Sequence, residues 1–278
     1  MQNKEYVLIG NPLIHSISHE IHKRLFELSG ISRNYNLRQL DPETFNEAVK
    51  DLASLAGFNV TIPYKQKIIP FLTTVDERAS HYGAVNTVKC DGTGMHGYNT
   101  DVDGFLKALS QAEIQLTGNV LLCGAGGVAR MMASEALDRG CSLVIATRTF
   151  SKASKCANDL LKHYPTANIT PSTLNYLSGS FDLILNGTPC GMHPNVQDCP
   201  VPAAVARSAG AVFDAIYNPY ETRLLARARA AGAKVQGGLT MLVWQAVAAH
   251  EIWEGSHFEK NDIEHICDEM RKLIKNDI

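Results

Sequence analysis

The sequence predicts an α/β protein of two domains, one of them carrying a doubly wound parallel sheet. Three observations predict it. Short apolar runs, each closed by glycine or a polar loop, alternate with segments whose apolar residues recur at steps of three and four, the pattern of strands joined by crossover helices. The 278 residues, 45% apolar and 19% charged, suffice for more than one core. Two helical patterns end the chain, and they are expected to pack back on the N-terminal domain. The expected division is 1–102 with 239–278 for one α/β domain and 103–238 for the other.

Tyr6-Val7-Leu8-Ile9-Gly10 is an apolar run closed by glycine, Asn11 and Pro12, and reads as a first strand with its exit loop. A helix is expected over 18–28, a strand at Tyr35-Asn36-Leu37, and a helix over 45–55 after the start signal Asp41-Pro42. Phe58-Asn59-Val60-Thr61 reads as a strand entering a helix, with Pro63 in the first turn, where its missing amide costs nothing. Residues 84–89 and 95–99, on either side of Asp91-Gly92-Thr93-Gly94, read as a hairpin. A helix over 102–109 leads into the second domain. There Val120-Leu121-Leu122-Cys123 and Leu143-Val144-Ile145-Ala146 are buried parallel strands, followed by strands at 181–186, 211–216 and 234–236. Residues 241–250 are apolar on every face and are expected to form a buried helix between the domains. Ile263, Ile266, Cys267, Met270, Leu273 and Ile274 mark a final amphipathic helix.

The strand at Val120 runs into Gly124-Ala125-Gly126-Gly127-Val128-Ala129-Arg130, a glycine turn followed by a helical pattern. Gly124 permits the tight turn, Gly126 lets backbone approach a pyrophosphate, and the small Ala129 lets the helix pack close to the sheet. The helix N-terminus then faces the anion. At the end of the next strand, where a carboxylate would bond the ribose of NAD, stands Thr147-Arg148-Thr149. A guanidinium matches a phosphate bidentately, so Arg148 points to the 2′-phosphate of NADP.

A net charge of −2 creates no field that would gather nucleic acid or an anionic membrane, which leaves a small-molecule substrate as the expected partner. Seven scattered cysteines, with no C-x-x-C pair or Cys/His cluster, read as small buried hydrophobes in a reducing compartment, and no metal is expected. The first ten residues lack a signal-peptide pattern and no apolar run approaches the roughly 20 residues that cross a bilayer. A cytoplasmic location is expected.

Taken singly, the polar residues of the first domain leave their roles open. Lys65 reads as a solvated lysine in a first helical turn. Asp101 in Asn99-Thr100-Asp101 reads equally as an N-cap or a site carboxylate. Ser16 and Ser18 could cap a helix, Asn86 could satisfy nearby backbone, and Gln245, a polar group in an apolar helix, must find some partner.

Taken together they are specific. Ser16-Ile17-Ser18, residues 59–65, 83–87, 99–101, 124–130, Asn186-Gly187-Thr188-Pro189-Cys190-Gly191-Met192, 214–225 and 237–246 follow one another as in a single family, and the chain resembles shikimate dehydrogenases. The resemblance implies reversible reduction of 3-dehydroshikimate to shikimate with NADPH, in a cytoplasmic enzyme of aromatic amino-acid biosynthesis. It implies Lys65 and Asp101 as the catalytic pair, with Ser16, Ser18, Asn59, Thr61, Asn86, Tyr217 and Gln245 on the substrate. On the cofactor it implies Gly124, Gly126, Gly127, Thr147, Arg148, Thr149 and Lys152, with Ala215 and Gly238 near the nicotinamide and Thr188 and Met192 lining the same cleft. It leaves monomer and homodimer open.

Two positions depart from the common pattern. His19 follows Ser18 where proline is usual, which opens the choice among shikimate, quinate and related ring acids. Thr147 precedes Arg148 where asparagine is usual, which keeps the cation but leaves room for some use of NAD. The competing expectations are a quinate/shikimate dehydrogenase using NAD or NADP and, in another class, an NADP-sensing module that would need neither Lys65 nor Asp101.

Overall fold

A computed structural model describes residues 5–14 and 16–276. The chain divides into two compact units, one of residues 1–104 and 242–270, the other of residues 105–241 and 271–278.

In the first unit the chain order is β1 (Glu5–Gly10), α1 (Ser18–Ser29), β2 (Asn34–Gln39), α2 (Phe45–Leu52), β3 (Gly57–Val60), β4 (Thr74–Val75), α3 (Glu77–Tyr82), β5 (Thr87–Asp91) and β6 (Gly94–Tyr98). The six strands form one mixed sheet in the order β2-β1-β3-β5-β6-β4. β1 lies parallel to both β2 and β3, whereas β3 and β5 run antiparallel. β5 and β6 close a tight hairpin with Asp91 opposite Gly94. The first residues of the expected hairpin, 84–86, lie outside its strands. On one face Val7, Ile9, Phe45, Val49, Leu52, Phe58, Tyr64 and Val88 form a continuous core. Aromatic residues Tyr6, Phe26, Tyr35 and Trp253 belong to another cluster.

The helix expected at Pro63 does not form. Residues 61–68 are turns, followed by a single 3-10 turn at Ile69–Phe71. The Lys65 carbonyl, which a helix would give to the amide four residues on, instead accepts the Val85 amide at 2.8 Å. Tertiary pairing outcompetes local propensity here.

The second unit begins within α4 (Asp101–Gln111) and continues with β7 (Asn119–Cys123), α5 (Gly127–Asp138), β8 (Ser142–Thr147), α6 (Phe150–Leu161), β9 (Ile169–Thr173), β10 (Leu183–Asn186), α7 (Ala203–Arg207), β11 (Ala211–Asp214), α8 (Arg223–Ala230) and β12 (Lys234–Gly237). Its strands are all parallel, in the order β12-β11-β10-β7-β8-β9. That is the doubly wound Rossmann-like order, in which the chain reverses direction across the sheet between β7 and β10. β7 and β10 are apolar and buried because helices cover both sheet faces. β9 is a strand that the sequence patterns do not announce, whereas α7 and α8 (Arg223–Ala230) fall where helical segments are expected between the later strands.

Helix α9 (Gly238–Glu254) and helix α10 (Lys260–Asn276) end the chain. Residues 242–270 of this pair belong to the first unit, and the remainder of α10 clusters with the second, where Arg271 stacks over Tyr220 at 4.5 Å.

α9 can start only because its first residue lacks a side chain. A Cβ at Gly238 would lie 2.2 Å from the Ala215 carbonyl oxygen and 2.5 Å from its carbon. Backbone cannot yield as a flexible side chain does, so Gly238→Ala is expected to lower the melting temperature by about 4 °C or more. An unchanged melting curve would mean that the Ala215 loop moves freely.

Candidate active site

Lys65 and Asp101 are 36 residues apart in sequence, on a turn segment and the first turn of α4. They meet. The Lys65 Nζ donates to Asp101 Oδ2 at 2.5 Å, with only 14% and 9% of the two side chains exposed. Asp101 is not an N-cap, since its own amide is bonded by Asn99 Oδ1 at 3.1 Å and Thr100 supplies the first helical carbonyl, to Gly104. Its carboxylate is therefore left for side chains.

Asn86 stands behind the pair. Its Nδ2 faces Asp101 Oδ1 and Thr100 Oγ1, both at 3.0 Å, and Gln245 Oε1 at 3.3 Å. Its Oδ1 accepts the Thr100 amide at 2.7 Å and the Thr87 hydroxyl at 3.2 Å. Gln245 itself donates to the Leu242 carbonyl at 2.9 Å. Asn59, on β3, donates to the Asn86 carbonyl and to Thr87 Oγ1 and accepts the Tyr35 hydroxyl at 2.8 Å. So the structure joins Lys65, Asp101, Asn86, Asn59 and Gln245 in one buried polar network. Thr61 follows the same strand, half-buried, its amide held by the Ile9 carbonyl. Ser16 and Ser18 touch each other, the Ser16 hydroxyl accepting the Ser18 amide at 3.3 Å. Neither caps α1, whose N-cap residue is Ile17.

Tyr35, Thr87 and Thr100 are the members that sequence reasoning assigned no role. Thr87 and Thr100 adjoin motif residues, a signal that would have found them. Tyr35, on β2, carries no such signal.

In the second unit the site is a set of strand ends. Gly124 turns out of β7 at φ +114°, and Gly187, after β10, packs so tightly on α5 that a Cβ there would lie 3.0 Å from the Ala129 Cβ. The small residue at position 129 serves this approach. The residues fit a dinucleotide phosphate: a Cβ on Gly126 would meet nothing within 4 Å, and α5 starts at Gly127 with no side chain capping its free amides. Those amides would hold the phosphate. Arg148 is exposed at the end of β8 and forms no ion pair among the described residues, so its guanidinium is available to an anion. Thr149 and Lys152 are exposed beside it, while the buried Thr147 uses its hydroxyl on the Thr149 carbonyl at 2.7 Å.

Asn186 and Asp214 sit side by side at the ends of β10 and β11. Asn186 donates to Asp214 Oδ1 at 2.9 Å and accepts both the amide and the hydroxyl of Thr188. Asp214 also accepts the Ile216 amide and the Thr222 hydroxyl, at 3.1 and 2.6 Å. One carboxylate thus shapes the loop carrying Ala215 and Tyr217, and through Asn186 the loop carrying Thr188. Met192, farther along, is exposed, and Tyr217 is half-buried. Sequence reasoning gave Asp214 no role, although a carboxylate closing an apolar strand is a readable signal.

Burial pushes the Asp214 carboxyl up to about 6, against the pull of its three hydrogen bonds. A folded-state value above the unfolded one means that the native protein binds the extra proton between about 4 and 6, so this group's contribution is fully present at low pH and is lost as pH rises through 6. Asp214→Asn keeps an acceptor and removes the titration. Its melting temperature relative to the parent chain is expected to be higher at pH 8 than at pH 5; the reverse trend would refute a buried charge here.

Among proteins of known kind, the model of the shikimate dehydrogenase substrate binding domain matches residues 8–88. A relative called shikimate dehydrogenase (NADP(+)), from Carboxydothermus hydrogenoformans, is 38% identical over 253 residues, 89% of this chain and 90% of the relative. The crystal structure of shikimate dehydrogenase 1 from Peptoclostridium difficile superimposes with a TM-score of 0.87 at 30% identity, covering 98% of this chain and 99% of the other. Shikimate 5-dehydrogenase from Thermus thermophilus, solved in complex with NADP(H) and shikimate, does so with a TM-score of 0.83 at 30% identity, over 96% and 99%. With identity of 30% or more sustained along nearly the whole of both chains, and the polar network and Rossmann-like strand ends each in place, this chain belongs to the shikimate dehydrogenase family.

Proposed function

We propose that this chain interconverts 3-dehydroshikimate and shikimate with NADP. The observation that carries the proposal is the Lys65–Asp101 pair, nearly dry and tied by Asn86 to Asn59 and Gln245. A regulatory module that only sensed NADP would have no use for an ammonium and a carboxylate held at 2.5 Å amid amides.

NADPH, when bound, supplies the hydride. As the substrate ketone is reduced its oxygen gains negative charge, and the Lys65 ammonium stabilises that charge and delivers a proton from Nζ. Asp101 keeps Nζ oriented and accepts from a substrate hydroxyl; in oxidation the proton returns to Lys65. Asn59, Asn86 and Gln245 offer amide donors and acceptors to ring hydroxyls, and Ser16, Ser18 and Thr61 offer hydroxyls to the carboxylate. Tyr217 adds a phenol on the substrate. Burial of the amide network excludes water that would compete for these bonds.

For the cofactor, Gly124, Gly126 and Gly127 would receive the pyrophosphate and Arg148 the 2′-phosphate, with Thr147, Thr149 and Lys152 beside it. Ala215 and Gly238 would line the nicotinamide, with Thr188 and Met192 near it. No group of His, Cys, Asp and Glu among the described residues could hold a metal ion, and the proposed chemistry requires none. All seven cysteines are free thiols, which fits a reducing, cytoplasmic setting; the enzyme would work as a monomer or a homodimer. Among the described residues no helix is long and apolar enough to cross a membrane.

Initial rates with shikimate and quinate, each with NADP and NAD, test the reading; the fastest turnover is expected with shikimate and NADP. Lys65→Ala should lower kcat roughly 100-fold or more with a smaller change in KM, because proton delivery acts in the transition state. A kcat left intact while KM rises would make Lys65 a binding residue instead. Arg148→Ala should weaken NADP by about 1.5–3 kcal/mol and leave NAD almost unaffected. Equal losses with both cofactors, measured by direct titration, would remove Arg148 from the 2′-phosphate.

A further inference from the structure

Two histidines lie buried in the first unit, away from the Lys65–Asp101 pair. His22 on α1 and His250 on α9 are both 0% exposed, and His22 Nδ1 lies 3.1 Å from His250 Nε2. Their rings lie nearly parallel, 19° apart, with centroids 5.2 Å apart, edge to edge as an in-plane hydrogen bond requires. On its other side His22 stacks on Tyr35 at 3.9 Å and 7°, and the Tyr35 hydroxyl donates to Asn59. Ser18 is four residues before His22 on α1, hence on the same helix face. Gln245 is five residues before His250 on α9. The contact therefore joins the helices that bear Ser18 and Gln245, and through Tyr35 it reaches Asn59.

The contact is kept at a cost. In a neutral pair one ring donates and the other accepts, and the remaining nitrogens, His22 Nε2 and His250 Nδ1, have no partner among the described residues. Whichever tautomers form, one buried N–H finds no partner on the described residues, a cost that an apolar ring in the same space would not carry. We propose that the neutral His22–His250 hydrogen bond is a positioning contact for the substrate site, setting α1 and α9 so that Ser18, Asn59 and Gln245 converge on one ring acid. This inference rests on the activity proposed above.

Burial also keeps both rings neutral. It lowers His250 to about 4 and His22 well below its ordinary value, and repulsion from a charged His250 lowers His22 further. The titratable groups around them are Tyr35 on β2, Tyr6 on β1, and Glu254 on α9, to which Arg33 and Tyr6 are bonded. Glu254 pulls His250 toward the cation, against the larger effect of burial. With folded values depressed, the contribution of the pair is complete above pH 6.5 and is lost as pH falls from there through about 4.

The test uses the full chain with His250→Phe, which fills the space but cannot bond, and His250→Gln, which can bond His22 Nδ1 but cannot titrate. At pH 8, His250→Phe is expected to raise KM for shikimate about 10-fold, with kcat and the directly titrated NADP Kd within about twofold. His250→Gln should restore KM to within about threefold of the parent chain. Both variants should lose less melting temperature than the parent between pH 6.5 and 4.5. Unchanged KM in His250→Phe with a lowered melting temperature would overturn the proposal in favour of packing, and a KM as high in His250→Gln as in His250→Phe would overturn it by removing the hydrogen bond as cause. A parent chain that did not reduce NADP with shikimate would overturn the activity itself, which the acid dependence of melting, read without substrate, keeps separate from the contact.

Discussion

The first unit depends on the requirement that one buried amide be satisfied. Asn86 is 2% exposed, and a primary amide cannot be buried without partners for both its oxygen and its two N–H groups. Its partners come from three places in the chain: Thr87 beside it, Thr100 and Asp101 at the start of α4, and Gln245 on α9. Meeting those demands fixes the orientation of the Asp101 carboxylate, which in turn fixes Lys65. The lysine needs this, because its flexible stem would otherwise sample many positions.

The backbone supports the same arrangement. Because Val85 takes the Lys65 carbonyl and the Asn86 carbonyl takes the Val60 amide, the turn after β3 and the approach to β5 are locked together on either side of the site. The unwound segment thus accompanies the meeting of Lys65 with Asp101.

The Rossmann-like unit solves a different problem. Parallel strands all end at the same edge, so their exit loops crowd together beside the crossing of β7 and β10, and small residues are needed where backbones approach. Ala129 and Gly187 supply that space on α5 and after β10, and Gly238 supplies it against Ala215. Asp214 then organises what remains, using a single carboxylate to hold Asn186, Ile216 and Thr222. In each unit a buried polar group sets the positions of the polar residues and loops around it.

The sequence by itself determined the parts governed by local pattern. Apolar runs placed β1, β7, β8, β10 and β11, because a strand buried on both faces must be largely apolar; the glycine turn after β7 and Arg148 after β8 marked the expected phosphate end, because backbone approach and a cation are local chemistry. That Lys65, Asp101, Asn86, Asn59 and Gln245 belong together was also legible, but only from an ordered set of motifs, since each alone reads equally well as a cap or a solvated side chain. Tertiary structure alone decided the rest. The mixed pairing of the first sheet, the unwound segment at Lys65, the hub at Asn86, the role of Asp214 and the meeting of His22 with His250, 228 residues apart, all arise from hydrogen-bond partners distant in the chain. A buried polar group must be paired, and which distant group pairs it depends on packing that no local window contains.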